Sequence, residues 1–283
     1  MEVFPLNVSD THAALDVTGA TKVVFVIGDP IRQVMSTRLY NRLCSERGID
    51  AVFVPLQFSA GDFEDGLRGL RAYRNVLGII PTIPYKSQML GQVDAASERA
   101  RAVGAVNTIR VEEDGSWLGD IFDGVGYVAG LRKAGHEPAG RRVTLIGAGG
   151  AGAAIGYELA GADVDALHIS DLDPARADAV ADIAARRNPG LEITTGAPDL
   201  VRAEIVVNAS PVGMLPDTGC PVDTSALHPE HIVTDMIMRP AQTPLILAAE
   251  ALGCRTTTGS DALAGQAEAT LAFLGLAPEG AVA

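Results

Sequence analysis

Cysteine is scarce in this chain. It occurs three times in 283 residues, as Cys44, Cys220 and Cys254, at no short spacing. That argues against a disulfide framework and a thiolate zinc cluster, and it fits a reducing compartment such as the cytoplasm. Positive charge is also short: Lys and Arg total 22 against 35 Asp and Glu, a formal net charge of −13. Binding to nucleic acid or to an anionic membrane surface calls for the opposite balance, so neither is expected as a partner. No apolar run reaches the roughly 18 residues that a membrane-spanning helix needs. The first sixteen residues, Met1 to Asp16, hold no basic stretch followed by an apolar one, so no signal peptide is expected. The five histidines lie at 12, 136, 168, 228 and 231 and suggest no metal site. General acidity of this kind serves solubility.

Apolar material for a large core is present. Hydrophobic residues make up 47% of the chain and charged residues 20%, a balance outside the disordered range. A length of 283 residues accommodates one large domain or two ordinary ones. Short β-branched runs alternate with helical spacings. Residues 22–28 read as a buried strand, and 36–48 as a helix with Leu39, Leu43 and Cys44 on one face. Residues 51–56 and 76–80 read as strands around a helix over 62–73. The pattern restarts at Arg142, with strands over 143–146, 166–170, 205–208 and 232–235 and helices over 153–159 and 175–187. Such alternation implies parallel sheet covered by helices. The expectation is an α/β protein of two domains, residues 1–125 and a dinucleotide-binding unit over 126–249. Helices over 245–252 and 262–273 close the chain, and the segment from about 250 to 283 is expected to pack back onto the first domain.

Gly147-Ala148-Gly149-Gly150-Ala151-Gly152 follows a strand and opens a helix, the context that the G-x-G-x-x-G fingerprint requires. Gly147 allows the tight turn, Gly149 lets backbone approach a pyrophosphate, and Gly152 lets helix and strand pack closely. The helix N-terminus, with Gly150 and Ala151 in its first turn, offers free N–H groups to phosphate. Asp171 ends the next strand, 19 residues beyond Gly152. An acid there bonds both ribose hydroxyls and repels a 2′-phosphate, and Asp173 adds to that repulsion. Arg176 is the opposing candidate, a cation able to clasp a phosphate, but it falls beyond the turn. NAD is therefore expected over NADP. The competing explanation is a glycine-rich turn with Asp171 as a helix cap.

Lys86 stands in Thr82-Ile83-Pro84-Tyr85-Lys86, just after a strand, and Asp123 in Asp123-Gly-Val-Gly126, just before the second unit. Between them lies Gly104-Ala-Val-Asn107-Thr108. Together with Ile27-Gly28-Asp29-Pro30-Ile31, the glycine loop, Asn208-Ala-Ser-Pro-Val-Gly-Met214, Asp235 with Pro240 and Thr243, and Gly259 through Gln266, these segments resemble the shikimate/quinate dehydrogenase family in family order, over about residues 22–276. The resemblance implies NAD(P)-linked oxidation of a ring hydroxyl on a small-molecule polyol. It makes Lys86 the acid/base and Asp123 its partner. The chemistry is consistent: as hydride leaves carbon, a lysine held by a carboxylate exchanges the alcohol proton. By the same matching, Ser36, Thr82, Asn107 and Gln266 bind substrate, and Asn208 and Met214 flank the nicotinamide. A homodimer is the commonest assembly for such an enzyme.

The chain departs from the family pattern in one cluster. Where the family has His-Ser-x-Ser-Pro, this chain has Gln33-Val34-Met35-Ser36-Thr37. Ile80 replaces an Asn, Ile121-Phe122 replace Asn-Thr before the aspartate, and Met238 replaces a Tyr. Val34, Ile80 and Met238 donate no side-chain hydrogen bond, and a carboxylate desolvated without partners costs several kcal/mol. The expected preferred substrate is therefore a cyclic polyol other than shikimate, unless Arg32, Arg38 or Arg239 supplies a cation from another direction. Two alternatives stand beside it: a true shikimate or quinate dehydrogenase, and a dinucleotide-binding sensor without turnover.

Overall fold

The computed structural model describes residues 17–32 and 34–276. The segment expected to lack a signal peptide, Gln33 of the departing motif and the residues after 276 lie outside them. The elements in chain order are β1 (Lys22–Gly28), α1 (Ser36–Arg47), β2 (Ala51–Gln57), α2 (Phe63–Ala72), β3 (Val76–Pro81), β4 (Ala95–Ala96), α3 (Glu98–Val103), β5 (Thr108–Val111) and β6 (Trp117–Asp120). There follow α4 (Asp123–Lys133), β7 (Arg142–Ile146), α5 (Gly150–Ala160), β8 (Ala166–Ser170), α6 (Pro174–Arg187), β9 (Glu192–Thr195), β10 (Ile205–Asn208), β11 (Ile232–Asp235), α7 (Pro244–Ala251), β12 (Arg255–Thr258) and α8 (Gly259–Phe273).

Two six-stranded sheets result, ordered β2-β1-β3-β5-β6-β4 and β12-β11-β10-β7-β8-β9. The second is parallel throughout. Its order is the doubly wound one, and the reversal between β7 and β10 opens a crevice at their C-terminal ends. The first sheet is mixed, which corrects the expectation of parallel sheet alone. Strands β5 and β6 form an antiparallel hairpin, and β5 runs antiparallel to β3. The hairpin escapes a search for βα alternation because it carries no helix of its own.

Helix α1 ends where expected, at Gly48, whose left-handed backbone (φ 65°) returns its N–H to Cys44 and Ser45. Asn41 fixes the helix to β2 through two hydrogen bonds with the backbone of Phe53. Tyr40 stacks on Phe53 and, with Val24, Val26, Ile80, Ala267 and Leu271, forms a core shared by α1, the first sheet and α8. The second sheet has its own core, built from Leu145, Ile155, Leu167, Ile169, Ile205 and Val207 among others.

The end of the chain divides differently from the expectation. Arg255–Thr258 pairs with β11 and forms the outer strand of the second sheet, and α7 packs on that sheet. Only α8 returns, against α4 and α1. A strand of Arg-Thr-Thr-Thr lacks the apolar run that marks a buried strand, so it was not legible as one. Close backbone approach sets the α4–α8 contact: a Cβ on Gly126 would lie 2.5 Å from Cβ of Gln266 and 2.6 Å from the Ala262 carbonyl oxygen. Among the described residues, no helix is long and apolar enough to cross a membrane.

Candidate active site between the two sheets

Lys86 follows β3, and its carbonyl accepts from Val106 N at 2.9 Å, which ties the lysine segment to the turn carrying Asn107. Asn107 N in turn donates to Asp120 O at 2.9 Å. The buried side chain of Asn107 organises the next step: its Oδ1 accepts from Phe122 N (3.0 Å) and Thr108 Oγ1 (3.1 Å), and its Nδ2 donates to Asp123 Oδ1 (2.9 Å). The other oxygen, Asp123 Oδ2, lies 2.5 Å from Lys86 Nζ. Asp123 opens α4, where the helix dipole favours a negative charge. The lysine side chain is 24% exposed and the aspartate 11%, so the pair is sheltered while the amine remains reachable. Three expected residues thus share one hydrogen-bonded chain, Asn107–Asp123–Lys86.

Arginine fixes the approach to Asp123 from behind. Arg99 on α3 binds Asp120 with Nη2 at 2.8 Å and Glu158 of α5 with Nη1 at 3.0 Å. Asp120 Oδ1 also accepts from Ile121 N at 2.7 Å. An ion network therefore joins the segment before Asp123 to the helix that opens with the glycine loop. Sequence reasoning passed over Arg99, because Glu98-Arg99-Ala100-Arg101 reads as an ordinary solvated helix face.

The remaining expected substrate residues are spread over several elements. Thr82 follows β3, with its N–H on Ile27 O at 2.8 Å. Gln266 sits on α8 against Gly126, close to the start of α4. Ser36 begins α1. Val34 is half-buried against the core that holds Ile80, and Ile80, 6% exposed, is a member of that core. Ile80 is a packing residue more than a wall of the cleft. Met238 is half-buried in the loop after β11. Tyr40, one turn beyond Ser36, was also missed. Its buried hydroxyl lies beside that of Thr270. Burial pushes it up to about 12, the Thr270 hydroxyl opposes this, and the nearby Asp123 charge adds to it.

In the second unit the glycine loop has the form its spacing implied. Gly147 adopts φ 96°, and a Cβ there would lie 2.6 Å from Ser210 N. A Cβ on Gly152 would overlap the Gly147 carbonyl oxygen. Gly149 and Gly150 instead face open space, an unobstructed cradle of backbone at the start of α5, and Ala151 follows half-buried. The donors and the cradle fit a pyrophosphate. Asp171 follows β8, and its Oδ2 accepts from Ala148 N at 2.7 Å while Oδ1 accepts from Asp173 N at 2.9 Å. Burial raises the Asp171 carboxyl, but these N–H donors and the Arg176 charge outweigh it and hold the group below the usual carboxylate range. Asp173 caps α6 through Ala175 N (3.0 Å), and Arg176 lies 3.7 Å from it as an exposed ion pair.

Asn208 organises the turn after β10. Its Oδ1 accepts from Ser210 N and Oγ, and its Nδ2 donates to Val212 O and Asp235 Oδ1, so the side chain holds the turn after β10. Met214, 42% exposed, stands on that turn.

Residues 26–109 match the family model described as the shikimate dehydrogenase substrate binding domain. A shikimate dehydrogenase (NADP(+)) of Rhodospirillum rubrum is 37% identical over 275 residues, covering 93% of this chain and 95% of the relative. The chain belongs to the shikimate dehydrogenase family. A quinate/shikimate dehydrogenase (NAD(+)) of Corynebacterium efficiens is 39% identical over 208 residues, 71% of this chain and 73% of its own. The structure of shikimate 5-dehydrogenase from Listeria monocytogenes, in complex with shikimate and NAD, superposes with a TM-score of 0.83 at 28% identity, covering 92% of this chain and 93% of that one. The family's two-domain α/β architecture, a substrate-binding unit followed by a Rossmann-type unit, is therefore that of this chain. The protein is a shikimate/quinate dehydrogenase-like oxidoreductase, and its relatives divide between NADP and NAD.

Proposed function

We propose that the protein interconverts a ring hydroxyl and the corresponding ketone on a cyclic polyol, with NAD(H) as hydride carrier and Lys86 as acid/base. The observation that carries this reading is the 2.5 Å contact between Lys86 Nζ and Asp123 Oδ2, backed by Asn107. When bound, the nicotinamide takes or returns the hydride. Lys86 takes the hydroxyl proton in oxidation and returns it in reduction. Asp123 holds the amine in place and balances its charge, and Asn107 fixes the carboxylate plane. A general acid–base residue so placed supplies about 10²–10⁴ in rate.

NAD is preferred over NADP on the strength of Asp171. In the dinucleotide fingerprint the acid after the second strand meets the ribose 2′ position, and backbone donors hold the Asp171 carboxyl below its usual range. The nearest cation of the turn, Arg176, is already turned to Asp173. Shikimate is not the preferred substrate, because Val34 and Met238 offer no donor and Ile80 belongs to the core. The test is a panel of shikimate, quinate and other cyclic polyols with NAD or NADP, read by reduction of the cofactor. Turnover of a ring alcohol with NAD, at higher efficiency than shikimate, is the expected result. Full efficiency on shikimate defeats the substrate proposal, and cofactor binding without any turnover makes the protein a sensor.

A further inference from the structure

Glu158 lies in the last turn of α5 and reaches out of the second unit. Its stem crosses Gly124: a Cβ on that glycine would come 2.7 Å from Glu158 Cγ. Its carboxylate ends on Arg99 Nη1 at 3.0 Å. Arg99 belongs to α3 in the first unit and makes two further contacts there. It binds Asp120 with Nε at 3.2 Å and Nη2 at 2.8 Å. It also lies over the Phe122 ring, 5.0 Å from the centroid. The two chain neighbours of Asp123 are therefore both covered by this ion pair, Phe122 by the arginine and Gly124 by the glutamate. The oxygens of Asp123 itself are taken by Lys86 and Asn107.

The pair is sheltered, with side-chain exposures of 23% for Arg99 and 19% for Glu158. Two charges drawn out of water give little net stability, because desolvation offsets most of their attraction. What such a pair fixes is register. Here it fixes the helix opened by the glycine loop against the segment that opens α4. Hydride transfer is sensitive to this register, since a misplacement of about 1 Å costs about 10²-fold in rate.

We propose that Glu158 and Arg99 are positioning residues for hydride transfer. Their ion pair sets the cofactor helix against the segment that carries Asp123, and so sets the approach of the nicotinamide to the carbon held at Lys86. The proposal rests on the hydride-transfer reading of the site and deepens it. Asn107 keeps its hydrogen bond to Asp123 when Glu158 is removed, and Arg99 keeps Asp120. The acid/base pair then stays formed while its alignment with the cofactor relaxes. A purely structural tie would change melting temperature and leave the hydride step as it is.

The experiment compares the wild type with E158A and E158Q, both of which leave the Arg99–Asp120 pair in place. Trp117, the one tryptophan of the chain, is buried on β6 in the first unit and supplies a readout that needs no turnover. Its fluorescence lifetime with saturating NADH measures energy transfer to a cofactor held by the second unit. Steady-state rates follow for the ring ketone of whichever panel polyol the wild type oxidises fastest, with NADH and with NADH dideuterated at C4. In E158A, kcat is expected to fall about tenfold, with a larger deuterium isotope effect and a changed Trp117-to-NADH transfer. KM, the Kd of NADH and the pH profile of kcat stay within about twofold of the wild type. E158Q, which keeps one hydrogen bond, falls between the two. An unchanged kcat and isotope effect in E158A overturn the proposal, whatever the melting temperature. A loss of kcat that comes with a shifted pH profile or weaker NADH binding overturns it too, because the acid/base pair or the cofactor site has then been altered directly. A wild type that turns over no panel polyol overturns the hydride-transfer reading instead. Trp117 then decides the ion pair alone: changed transfer in E158A supports its hold on the two units, and unchanged transfer overturns it.

Discussion

Gly124 and Ala154 meet backbone to backbone: a Cβ on Gly124 would overlap the Ala154 carbonyl oxygen. Gly124 is the residue after Asp123, and Ala154 lies in the first half of the helix opened by the glycine loop. The carboxylate that holds Lys86 and the helix opened by the glycine loop are thus packed as one body. Adding a methyl group here forces α4 and α5 apart. G124A is expected to destabilise the fold by about 1–3 kcal/mol, the usual penalty of overpacking. Turnover falls in parallel, because Asp123 moves with α4. Thermal unfolding and kcat measured on the same preparation check both effects.

Gly149 provides the opposite case. It has ordinary extended backbone, φ −77°, and nothing stands within 4 Å of a Cβ built on it. G149A is therefore expected to fold with an unchanged melting temperature. The added methyl group still occupies the approach to the pyrophosphate. The expected result is weaker NADH binding, seen by fluorescence titration, with no loss of stability. A variant that binds NADH as well as the wild type would place the pyrophosphate elsewhere.

Asp171 combines two tasks, since the oxygen that bonds Ala148 N belongs to the carboxylate assigned to the ribose. D171N keeps an acceptor for the loop and removes the charge. The ratio of kcat/KM for NADP over NAD is expected to rise about tenfold or more, with little change in melting temperature. An unchanged ratio would remove Asp171 from cofactor selection.

Acid sensitivity has a named contributor at the α1–α8 contact. Arg47 grips Glu268 through Nη1 at 2.9 Å and Nη2 at 2.5 Å. This hydrogen bonding holds the Glu268 carboxyl below its usual range, against the effect of burial. A lowered carboxyl contributes stability above the unfolded-state value and loses it as pH falls through the folded-state value. The glutamate side chain is 62% exposed, so the contribution is of surface size, about 0.5 kcal/mol. E268Q is expected to melt slightly below the wild type at neutral pH, and the difference should vanish in acid. Melting curves over a pH series test this.

The sequence was most legible where chemistry and geometry demand a specific residue. Strands of β-branched residues before a glycine loop, a helix after it and Asp171 beyond the next strand can be read in order, because each local preference agrees with the fold. Helix α1 ended at Gly48 for the same reason. Lys86, Asn107 and Asp123 were legible as motifs, although nothing in their spacing shows that Asn107 holds Asp123 from the other side. Four features stayed hidden. The β5–β6 hairpin and the outer strand β12 lack a buried apolar run. Arg99 and Tyr40 act through contacts between elements far apart in sequence, and no local pattern encodes those. Ile80 stands where the family has an Asn, and only the folded chain shows that it is 6% exposed in the core shared by α1, the first sheet and α8.

Lys86 carries the proposed chemistry. Its most direct test is the rate of NAD reduction by the wild type and by K86A, on the best ring alcohol found, with NADH binding measured on both. The predicted result is turnover by the wild type, loss of about 10²–10⁴ in kcat for K86A, and equal NADH affinity. Turnover by K86A at the wild-type rate would contradict the account.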